Sequence, residues 1–370
     1  MKFSESTHKV LYGIDSIVRG GTELQLVGLI ERLDKSKFTP YLLTIRETET
    51  SLIPSECKHI QLDIPKLFSV SGIIKFFKLV GWLRKEKIDI VQMYFQDTTL
   101  LLGMAAWLAR VPVRISCFRD MGFWTDGKIE KILKKVYPLM TNYIANAKAV
   151  GNVFCEQFSL PPEKIQVLPN GIELSQFPFI QHTGPIVNIC IVGNMTRKVK
   201  RTDLFIKAAA ELVGKYPNVV WHIIGDGHLR PELEALAMEL GVSSTVKFLG
   251  RIANVDDYLT DMQIGVISSD SEGLSNAILE YMLKGVVCVA TDVGGTPELI
   301  IDNGTGCLVR VNDHKMIAKK IEYLIENPET YQKIALNARG LAENNYGWDT
   351  CVKKHEGFYQ KAMTSINKVS

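Results

Sequence analysis

The stretch that decides the fold is IGVISSDSEGLSNAILEYMLKG, residues 264–285. Its first four residues form an apolar run typical of a buried strand, and the amphipathic segment from Asn276 onward predicts a helix. A loop therefore joins the end of a strand to the start of a helix, where backbone N–H groups favour a phosphate or an anionic sugar nucleotide. The residues that present these groups are Gly273, Leu274, Ser275 and Asn276.

Two carboxylates flank this junction between loop and helix. Glu272 lies in the loop, and Glu280 lies on the predicted helix. One carboxylate is placed to reach a sugar, while the other accepts hydrogen bonds from ribose hydroxyls. Taken alone, the same two residues also fit an ordinary solvated loop and helix face, so the surrounding sequence has to decide between the interpretations.

Short apolar runs alternate with longer amphipathic segments on both sides of this stretch, which is typical of βαβ units. In the first half the predicted strands cover 10–14, 41–45, 88–94, 113–117, 143–145 and 165–168. In the second half they cover 186–192, 219–224, 246–249, 264–267, 286–290 and 307–309. The pattern predicts an α/β protein with two Rossmann-like parallel-sheet domains that face each other across a cleft at the carboxyl ends of their strands.

The chain has 370 residues, which is too long for one compact core and comfortable for two domains. The segment 171–185 contains glycine and proline and shows little periodicity, so it is the predicted hinge. We expect an N-terminal domain over 1–178 and a C-terminal domain over 179–347. The final segment, 348–370, is predicted to be a helix that packs back on the first domain.

Composition points to a cytoplasmic protein. Hydrophobic residues make up 46% and charged residues 22% of the chain, which is ordinary for a soluble globular protein. Its seven cysteines form no C-x-x-C pair, as expected of reduced thiols in the cytosol. The start MKFSESTHKV has no signal-peptide pattern. The longest apolar stretch, 100–109, is about half of the ~20 residues that a spanning helix needs.

Basic residues are concentrated in the first half, where residues 1–180 carry 23 Lys and Arg against 18 Asp and Glu. That surplus suggests an acidic partner such as a phospholipid surface or a phosphorylated acceptor. Within it, KLFSVSGIIKFFKLVGWLRKEK (66–87) alternates bulky apolar residues with basic ones, and such a helix is able to lie on an anionic membrane. The alternative is a helix whose apolar side packs on the sheet while its lysines are solvated.

A second basic cluster, TRKVKR (196–201), lies between a predicted strand and a predicted helix of the second half. Its Arg197 and Lys200 are candidates for neutralising a diphosphate, although lysines and arginines in loops are often just solvated. No D-x-D triplet occurs, so a metal-bridged diphosphate is not supported, and neither a metal nor another cofactor is expected. No G-x-G-x-x-G is completed either, which argues against a nicotinamide enzyme.

The two consecutive stretches SEGLSNAILEYMLKG (271–285) and VVCVATDVGGTPELI (286–300) resemble the C-terminal signature of the retaining glycosyltransferases of the group 1 family. This family is also called glycosyltransferase family 4 and has the GT-B fold. Its two glutamates are spaced as Glu272 and Glu280 are. Further likenesses, dense over 164–310 and thin over 25–160, are RGGTE (19–23), KIQVLPNGIELSQF (164–177), VGNMTRKVKRTDLFIKA (192–208), WHIIGDGHLRPELEALAMELGV (221–242) and VKFLGRI (246–252).

The resemblance implies transfer of a sugar from a nucleotide-diphosphate donor, UDP- or GDP-linked, to a glycan, a lipid-linked or a small-molecule acceptor. Such transfer belongs to the synthesis of cell-surface polysaccharide or glycolipid. Glu272 is implied to bind the transferred sugar, Glu280 the ribose and Lys200 the diphosphate. The nucleobase is implied to meet the backbone of Gly250, Arg251 and Ile252. The N-terminal domain is implied to bind the acceptor and the C-terminal domain the donor.

The chain departs from the family pattern at the donor diphosphate. Many relatives carry an arginine directly after the glycine of the strand, where this chain has Asn194. We expect Arg197 to supply that charge, with Lys198 and Arg201 as substitutes.

In the N-terminal half, the family often carries a histidine that reaches the sugar. Its place in ISCFRDMGFW (115–124) is filled by Arg119 or Asp120. Gly20 and Gly21 follow the first strand and allow a close approach of the backbone to a ligand, although they also fit a plain strand–helix turn.

Retention without an obvious nucleophile implies a front-face attack, in which the leaving phosphate helps to deprotonate the acceptor. Two rivals stay open. A sugar-nucleotide epimerase of the same fold would need acid and base groups in the cleft, and an inactive relative would only bind a nucleotide or a glycan. No nucleic-acid partner is expected.

Overall fold

The computed structural model describes residues 7–18, 20–122 and 127–367. Three residues of the predicted motifs therefore lie outside the described residues: Arg19 of RGGTE, and Phe123 and Trp124 of ISCFRDMGFW. The last residues of the predicted C-terminal helix, 368–370, lie outside them as well. The chain divides into an N-terminal unit, which comprises the described residues up to Gly171 and those from Trp348 onward, and a C-terminal unit over Ile172–Gly347.

The N-terminal unit is built on one seven-stranded parallel sheet with the order β3-β2-β1-β4-β5-β6-β7. The central strands are buried on both faces, which explains why they are continuous apolar runs rather than alternating ones. Its strands are β1 His8–Ile14, β2 Phe38–Thr44, β3 Lys58–Gln61, β4 Ile90–Tyr94, β5 Val113–Phe118, β6 Asn142–Ala145 and β7 Ile165–Val167.

Helices link these strands and cover the sheet. They are α1 Gly21–Arg32, α2 Val70–Glu86, α3 Gln96–Thr98, α4 Met104–Ala109, α5 Gly127–Val136 and α6 Lys148–Phe158. A π-helical turn, Thr99–Gly103, joins α3 to α4. Single 3-10 turns are formed by Thr50–Leu52, Tyr137–Leu139 and Pro162–Lys164.

The C-terminal unit contains a six-stranded parallel sheet with the order β10-β9-β8-β11-β12-β13. The strands are β8 Asn188–Val192, β9 Val220–Ile224, β10 Val246–Gly250, β11 Ile264–Ile267, β12 Val287–Thr291 and β13 Cys307–Val309. The helices are α7 Thr202–Leu212, α8 Arg230–Glu239, α9 Val255–Leu259, α10 Asn276–Lys284, α11 Thr296–Leu299, α12 His314–Glu326 and α13 Pro328–Tyr346, and 3-10 turns form at Leu174–Gln176 and Lys198–Lys200. The predicted α/β class, with two Rossmann-like parallel-sheet units, is confirmed.

The division between the units falls earlier than the predicted boundary at residue 178. Residues 172–178 belong to the C-terminal unit because hydrogen bonds tie them to α13. The Ile172 N–H donates to the Tyr346 carbonyl at 2.8 Å, and the Arg339 guanidinium donates to the Phe177 carbonyl.

The last helix, α14 Trp348–Asn367, packs on α1 within the N-terminal unit. The Trp348 ring lies between two glycines, since a Cβ on Gly28 or on Gly171 would come within 2.3 Å of a ring atom. The Arg32 guanidinium lies 5.0 Å from the ring centroid. Further along α14, the buried Tyr359 hydroxyl lies 3.2 Å from the Tyr12 hydroxyl of β1. A ring with no room on either side thus fixes the start of α14.

This packing predicts opposite effects for the same substitution at two helical glycines of the N-terminal unit. Gly28→Ala should destabilise the unit by about 1–3 kcal/mol, because the new methyl group overpacks a ring that has nowhere to move. Gly81→Ala on α2 should stabilise it by up to about 1 kcal/mol, because nothing lies within 4 Å of the added methyl and alanine favours the helix. Urea denaturation of both variants measures the difference, and equal stabilities would contradict the account of Trp348.

Candidate functional site

The loop after β8 carries the basic cluster and lies on two glycines of the loop after β9. A Cβ on Gly225, whose φ is +135°, would come 2.1 Å from the Gly193 carbonyl oxygen, and a Cβ on Gly227 would come 2.3 Å from the Met195 backbone. The Met195 N–H also donates to the Asp226 carbonyl at 3.0 Å. The GDG sequence (225–227) therefore allows the loops after β8 and β9 to pack closely. This packing fixes the backbone just before the basic cluster, 196–201.

Lys200, at the end of this loop, contacts Glu272 from the loop after β11. The Lys200 ammonium donates to Glu272 Oε1 at 2.7 Å, and the hydroxyl of the fully buried Ser269 donates to the same oxygen at 2.6 Å. The other oxygen, Oε2, accepts no hydrogen bond from the described residues and is not among their buried unpartnered oxygens. The carboxylate is thus held by one oxygen and open at the other.

Two neighbouring serines directly follow β11. The first of them, Ser268, holds the backbone of Lys200. The Ser268 hydroxyl donates to the carbonyls of Lys200 and Arg201 at 3.0 and 2.8 Å. The Asp270 N–H donates to the Val199 carbonyl at 2.8 Å. Sequence analysis missed both serines, and the available signal was a pair of small hydroxyl residues that ends an otherwise apolar strand.

The helix after the Glu272 loop begins as predicted, because α10 starts at Asn276 with Ser275 in the N-cap position. The preceding turn is held by the Gly295 N–H, which donates to the Gly273 carbonyl at 3.0 Å. Leu274 is buried. The predicted N–H donors therefore lie in the same loop as Glu272.

Glu280 lies on α10 and is half-buried. Its carboxylate has no hydrogen-bond or ion-pair partner within 7–18, 20–122 and 127–367. Burial, and after it the negative charge of Asp256, raises the pKa of Glu280 from 4.5 to about 7. On the helix that follows Glu272 there is thus a desolvated carboxyl group without a partner among the described residues, and such groups gather at binding sites.

The predicted nucleobase contacts lie at the end of β10. Gly250 has a φ of +70°, which only glycine adopts readily, and its carbonyl accepts a hydrogen bond of 2.8 Å from the Gly225 N–H. A Cβ on Gly250 would lie 3.6 Å from the Arg230 guanidinium. Arg251 is exposed and Ile252 is half-buried just beyond. The three residues thus continue the carboxyl edge of the sheet at β9 and β10.

The other cations of the basic loop are placed differently from Lys200. The Lys198 ammonium pairs with Glu232 of α8 at 3.1 Å, and Arg201 pairs with Asp203 at 2.9 Å and with Asp270 at 3.1 Å. These ion pairs compete with the substitute role that the sequence analysis gave to both residues. Two further predicted residues of this loop, Asn194 and Arg197, are exposed, and Arg197 lines a surface cavity between α7 and α8.

In the N-terminal unit, Gly20 is the N-cap of α1 and Gly21 is its first residue. The Glu23 carboxylate folds back over Gly20, because a Cβ there would lie 2.3 Å from Glu23 Oε2. Burial, and more weakly the nearby Asp15, raises the pKa of Glu23. The Glu23 carboxylate therefore lies close to the backbone of the glycine loop.

Arg119 and Asp120 follow β5 directly. The Arg119 guanidinium donates to the Asn170 side chain at 2.6 Å, and the Arg119 carbonyl accepts from the Asn146 side chain at 3.0 Å. Asp120 accepts a hydrogen bond of 2.8 Å from the Gly122 N–H. These contacts fix the turn after β5, and the catalytic role of either side chain stays a prediction.

A charged cluster that the sequence analysis missed lies at the ends of β1, β2 and β4. The Arg46 guanidinium pairs with Asp15 at 3.2 Å and also with Asp97. Asp15 accepts a hydrogen bond of 2.6 Å from the Thr98 hydroxyl, and burial raises the pKa of Asp15. The sequence signal was one charged residue directly after each of two apolar strands.

Two Rossmann-like parallel-sheet units, with a lysine–glutamate pair at the carboxyl edge of the second sheet, fit the GT-B fold that the sequence resemblance implies. The family profile described as "Glycosyl transferases group 1" matches residues 180–341, and the profile "Glycosyltransferase Family 4" matches residues 19–176. The chain belongs to this family of group 1 glycosyltransferases.

Curated relatives are similar over most of the chain. One is the UDP-Gal:alpha-D-GlcNAc-diphosphoundecaprenol alpha-1,3-galactosyltransferase of Escherichia coli, 26% identical over 70% of both chains. Another is a Campylobacter jejuni alpha-1,4-N-acetyl-D-galactosaminyltransferase named for an acceptor linked to PP-undecaprenol. It is 26% identical and covers 89% of this chain and 92% of its own length.

Solved structures share the fold. Anabaena HepE in complex with UDP superimposes with a TM-score of 0.82 at 20% identity, over 95% of this chain and all of its own. A glycosyltransferase of Rickettsia africae superimposes with a TM-score of 0.84 at 18% identity, over 96% of this chain and 99% of its own.

The raised pKa of Glu280 predicts that nucleotide affinity depends on pH. Ribose hydroxyls donate to an ionised carboxylate, so binding should weaken as pH falls and Glu280 takes up a proton. With a pKa of about 7, affinity for a nucleoside diphosphate should fall about tenfold between pH 8 and pH 6. Calorimetry at several pH values measures this change.

Two variants provide the controls. Glu280→Gln should bind more weakly and lose the part of the pH dependence that does not come from the phosphates of the ligand. Asp256→Asn should shift the midpoint to lower pH, because it removes a neighbouring negative charge. A pH profile that is the same in the wild type and in Glu280→Gln would contradict the assignment of Glu280 to the ribose.

Proposed function

We propose that this chain transfers a sugar from a UDP-sugar to a lipid-linked glycan, with retention of the anomeric configuration and without a divalent metal. The observation that carries the proposal is the contact between Lys200 and Glu272 at the carboxyl edge of the C-terminal sheet, with the unpaired Glu280 on the following helix. These side chains match the three parts of a sugar nucleotide. Lys200 would bind the diphosphate, Glu272 the sugar and Glu280 the ribose.

The chemistry follows from these positions. The leaving group is a nucleoside diphosphate whose negative charge grows as the bond to the sugar breaks, and the Lys200 ammonium stabilises that charge. Glu272 Oε2 faces the sugar and offsets the positive charge that grows at the anomeric carbon. The acceptor hydroxyl attacks from the side of the leaving phosphate, which takes up its proton.

The choice of UDP and of a lipid-linked acceptor is supported by the relatives. The Escherichia coli enzyme is named for UDP-Gal and for a diphosphoundecaprenol acceptor, and Anabaena HepE was solved with UDP. Metal independence is supported by the lysine itself. Lys200 supplies a cation where other enzymes use a metal to neutralise a diphosphate.

The proposal is tested by incubating the protein with UDP-glucose, UDP-galactose and their N-acetyl forms, with or without an undecaprenyl-diphosphate-linked sugar. We expect UDP release that depends on the acceptor, survives excess EDTA and yields an α-linked product by NMR. Lys200→Ala should bind UDP more weakly by about 1.5–3 kcal/mol, the scale of a charge-assisted hydrogen bond.

Other outcomes separate the rival functions. A new nucleotide sugar without UDP release would indicate an epimerase, and binding without either product would indicate an inactive relative. Loss of transfer in EDTA that magnesium or manganese restores would contradict metal independence, and a β-linked product would contradict retention.

We propose further that the N-terminal unit binds an anionic membrane through the outer face of α2. The lipid-linked acceptor would lie in this membrane. None of the helices within 7–18, 20–122 and 127–367 is long and apolar enough to cross a bilayer. The apolar side chains of α2 are nevertheless largely exposed, as Val70 at 77% and Phe77 at 63% illustrate. The exposed apolar side chains of this surface are Phe68, Val70, Ile73, Ile74 and Phe77, with Trp107 and Leu108 of α4.

The basic residues of the same helix extend this face. Lys78, Arg84 and Lys85 are exposed on α2. Two basic residues are held by backbone carbonyls, because Arg84 donates to Leu108 at 2.7 Å and Lys75 donates to Leu62 and Asp63 at 2.6 and 2.8 Å. Lys75 therefore serves the local fold and is not a suitable probe of membrane contact. Exposed apolar side chains flanked by basic ones fit a surface of anionic lipids.

Vesicle co-sedimentation tests this surface. Lys78→Glu/Lys85→Glu should bind anionic vesicles about thirtyfold more weakly than the wild type, since each basic residue near the lipid contributes about 1 kcal/mol. Lys315→Glu/Lys333→Glu changes the net charge equally on exposed positions of the C-terminal unit and should bind like the wild type. Equal recovery of the wild-type protein with anionic and neutral vesicles would contradict the proposal.

A further inference from the structure

Ser269 is the side chain on which the orientation of Glu272 depends. Its hydroxyl donates to Glu272 Oε1 at 2.6 Å, and the residue is 1% exposed. Its own carbonyl accepts a hydrogen bond of 2.6 Å from the Thr291 hydroxyl of β12. The backbone of Ser269 is therefore held by the neighbouring strand, and its side chain is enclosed by the fold.

Lys200 is the second donor to the same oxygen. Unlike Ser269, it is also the proposed partner of the donor diphosphate. In the structure its ammonium lies 2.7 Å from Glu272 Oε1 and its side chain is 37% exposed. A bound diphosphate brings more negative charge than one carboxylate and draws the ammonium toward itself. The hydrogen bond from Lys200 to Glu272 is then weakened, whereas the hydrogen bond from Ser269 is unaffected by the diphosphate.

We infer that Ser269 is a positioning residue that holds the Glu272 carboxylate toward the sugar while the donor diphosphate occupies Lys200. This inference rests on the proposed function of the site. The buried Ser269 hydroxyl fixes Oε1 and leaves Oε2 for the sugar, so the carboxylate keeps its direction in the loaded enzyme. Ser268 has the complementary task, because its hydroxyl holds the backbone of Lys200 and Arg201.

The two serines should therefore affect different steps. Loss of the Ser269 hydroxyl frees a carboxylate whose interaction matters most in the transition state, so it lowers kcat and leaves nucleotide affinity almost unchanged. Loss of the Ser268 hydroxyl loosens the loop that carries Lys200, so it weakens binding of the nucleoside diphosphate. A general defect in folding would not separate the two effects in this way.

Ser269→Thr and Ser269→Val are the matched pair for the test. Both add a methyl group at the same buried position, and only threonine keeps the hydroxyl. We expect Ser269→Val to lower kcat about 10- to 100-fold relative to Ser269→Thr, the scale of one hydrogen bond to a charged group. Affinity for UDP alone should agree within about twofold between the pair, and Ser268→Ala should lose UDP affinity.

A binding measurement keeps the inference testable without turnover. Calorimetry with UDP and with the UDP-sugar gives the affinity that the sugar adds, and this increment should be smaller in Ser269→Val than in Ser269→Thr. Equal kcat values and equal increments in the two variants would overturn the inference. A wild-type protein that releases no UDP from any sugar nucleotide would instead overturn the proposed function, and the sugar increment would still decide the role of Ser269.

Discussion

The ion pair between Lys200 and Glu272 depends on one feature of the C-terminal sheet, the adjacency of β8 and β11. The two strands pair in parallel at Ile264↔Ile189 and Gly265↔Cys190, so the loops that follow them leave the same edge side by side. Residues 72 positions apart in the chain thereby come within 2.7 Å. The order of the strands brings the side chains of Lys200 and Glu272 to one edge of the sheet. The two serines that follow β11 hold the backbone of Lys200 and the carboxylate of Glu272.

The two glutamates of the site differ in their electrostatics although they lie close together in the sequence. One carboxylate oxygen of Glu272 accepts hydrogen bonds from the Lys200 ammonium and from the Ser269 hydroxyl. Burial, and after it the negative charge of Asp256, raises the pKa of Glu280 to about 7. Glu280 therefore takes up or releases a proton near neutrality, whereas Glu272 is held in place by two hydrogen bonds. Two like residues thus lie in different environments.

The sequence predicted the two parallel sheets because the central strands are apolar on both faces, and it missed β3 because KHIQ is partly exposed and lacks that pattern. It identified Lys200 and Glu272 separately through the family resemblance. It could not show that they touch, because their contact depends on strand order. Nor could it show that Lys198 and Arg201 pair with acidic residues of the unit itself, since those partners come from other segments of the fold.

The surface of α2 illustrates the same limit of periodicity. A helical pattern separates apolar from polar positions, but it does not say which stripe packs against the sheet. Here the packed stripe is narrow, with Gly72, Leu79, Val80 and Leu83 buried, and Lys75 lies between helix and loop as a hydrogen-bond donor. Bulkier apolar side chains of the same helix, Ile73, Ile74 and Phe77, are exposed. Isolated exposed hydrophobics are ordinary, whereas a continuous row of them beside basic residues costs solubility unless it has something to cover it. The membrane contact that we propose would cover this row and bring the N-terminal unit to a lipid-linked acceptor.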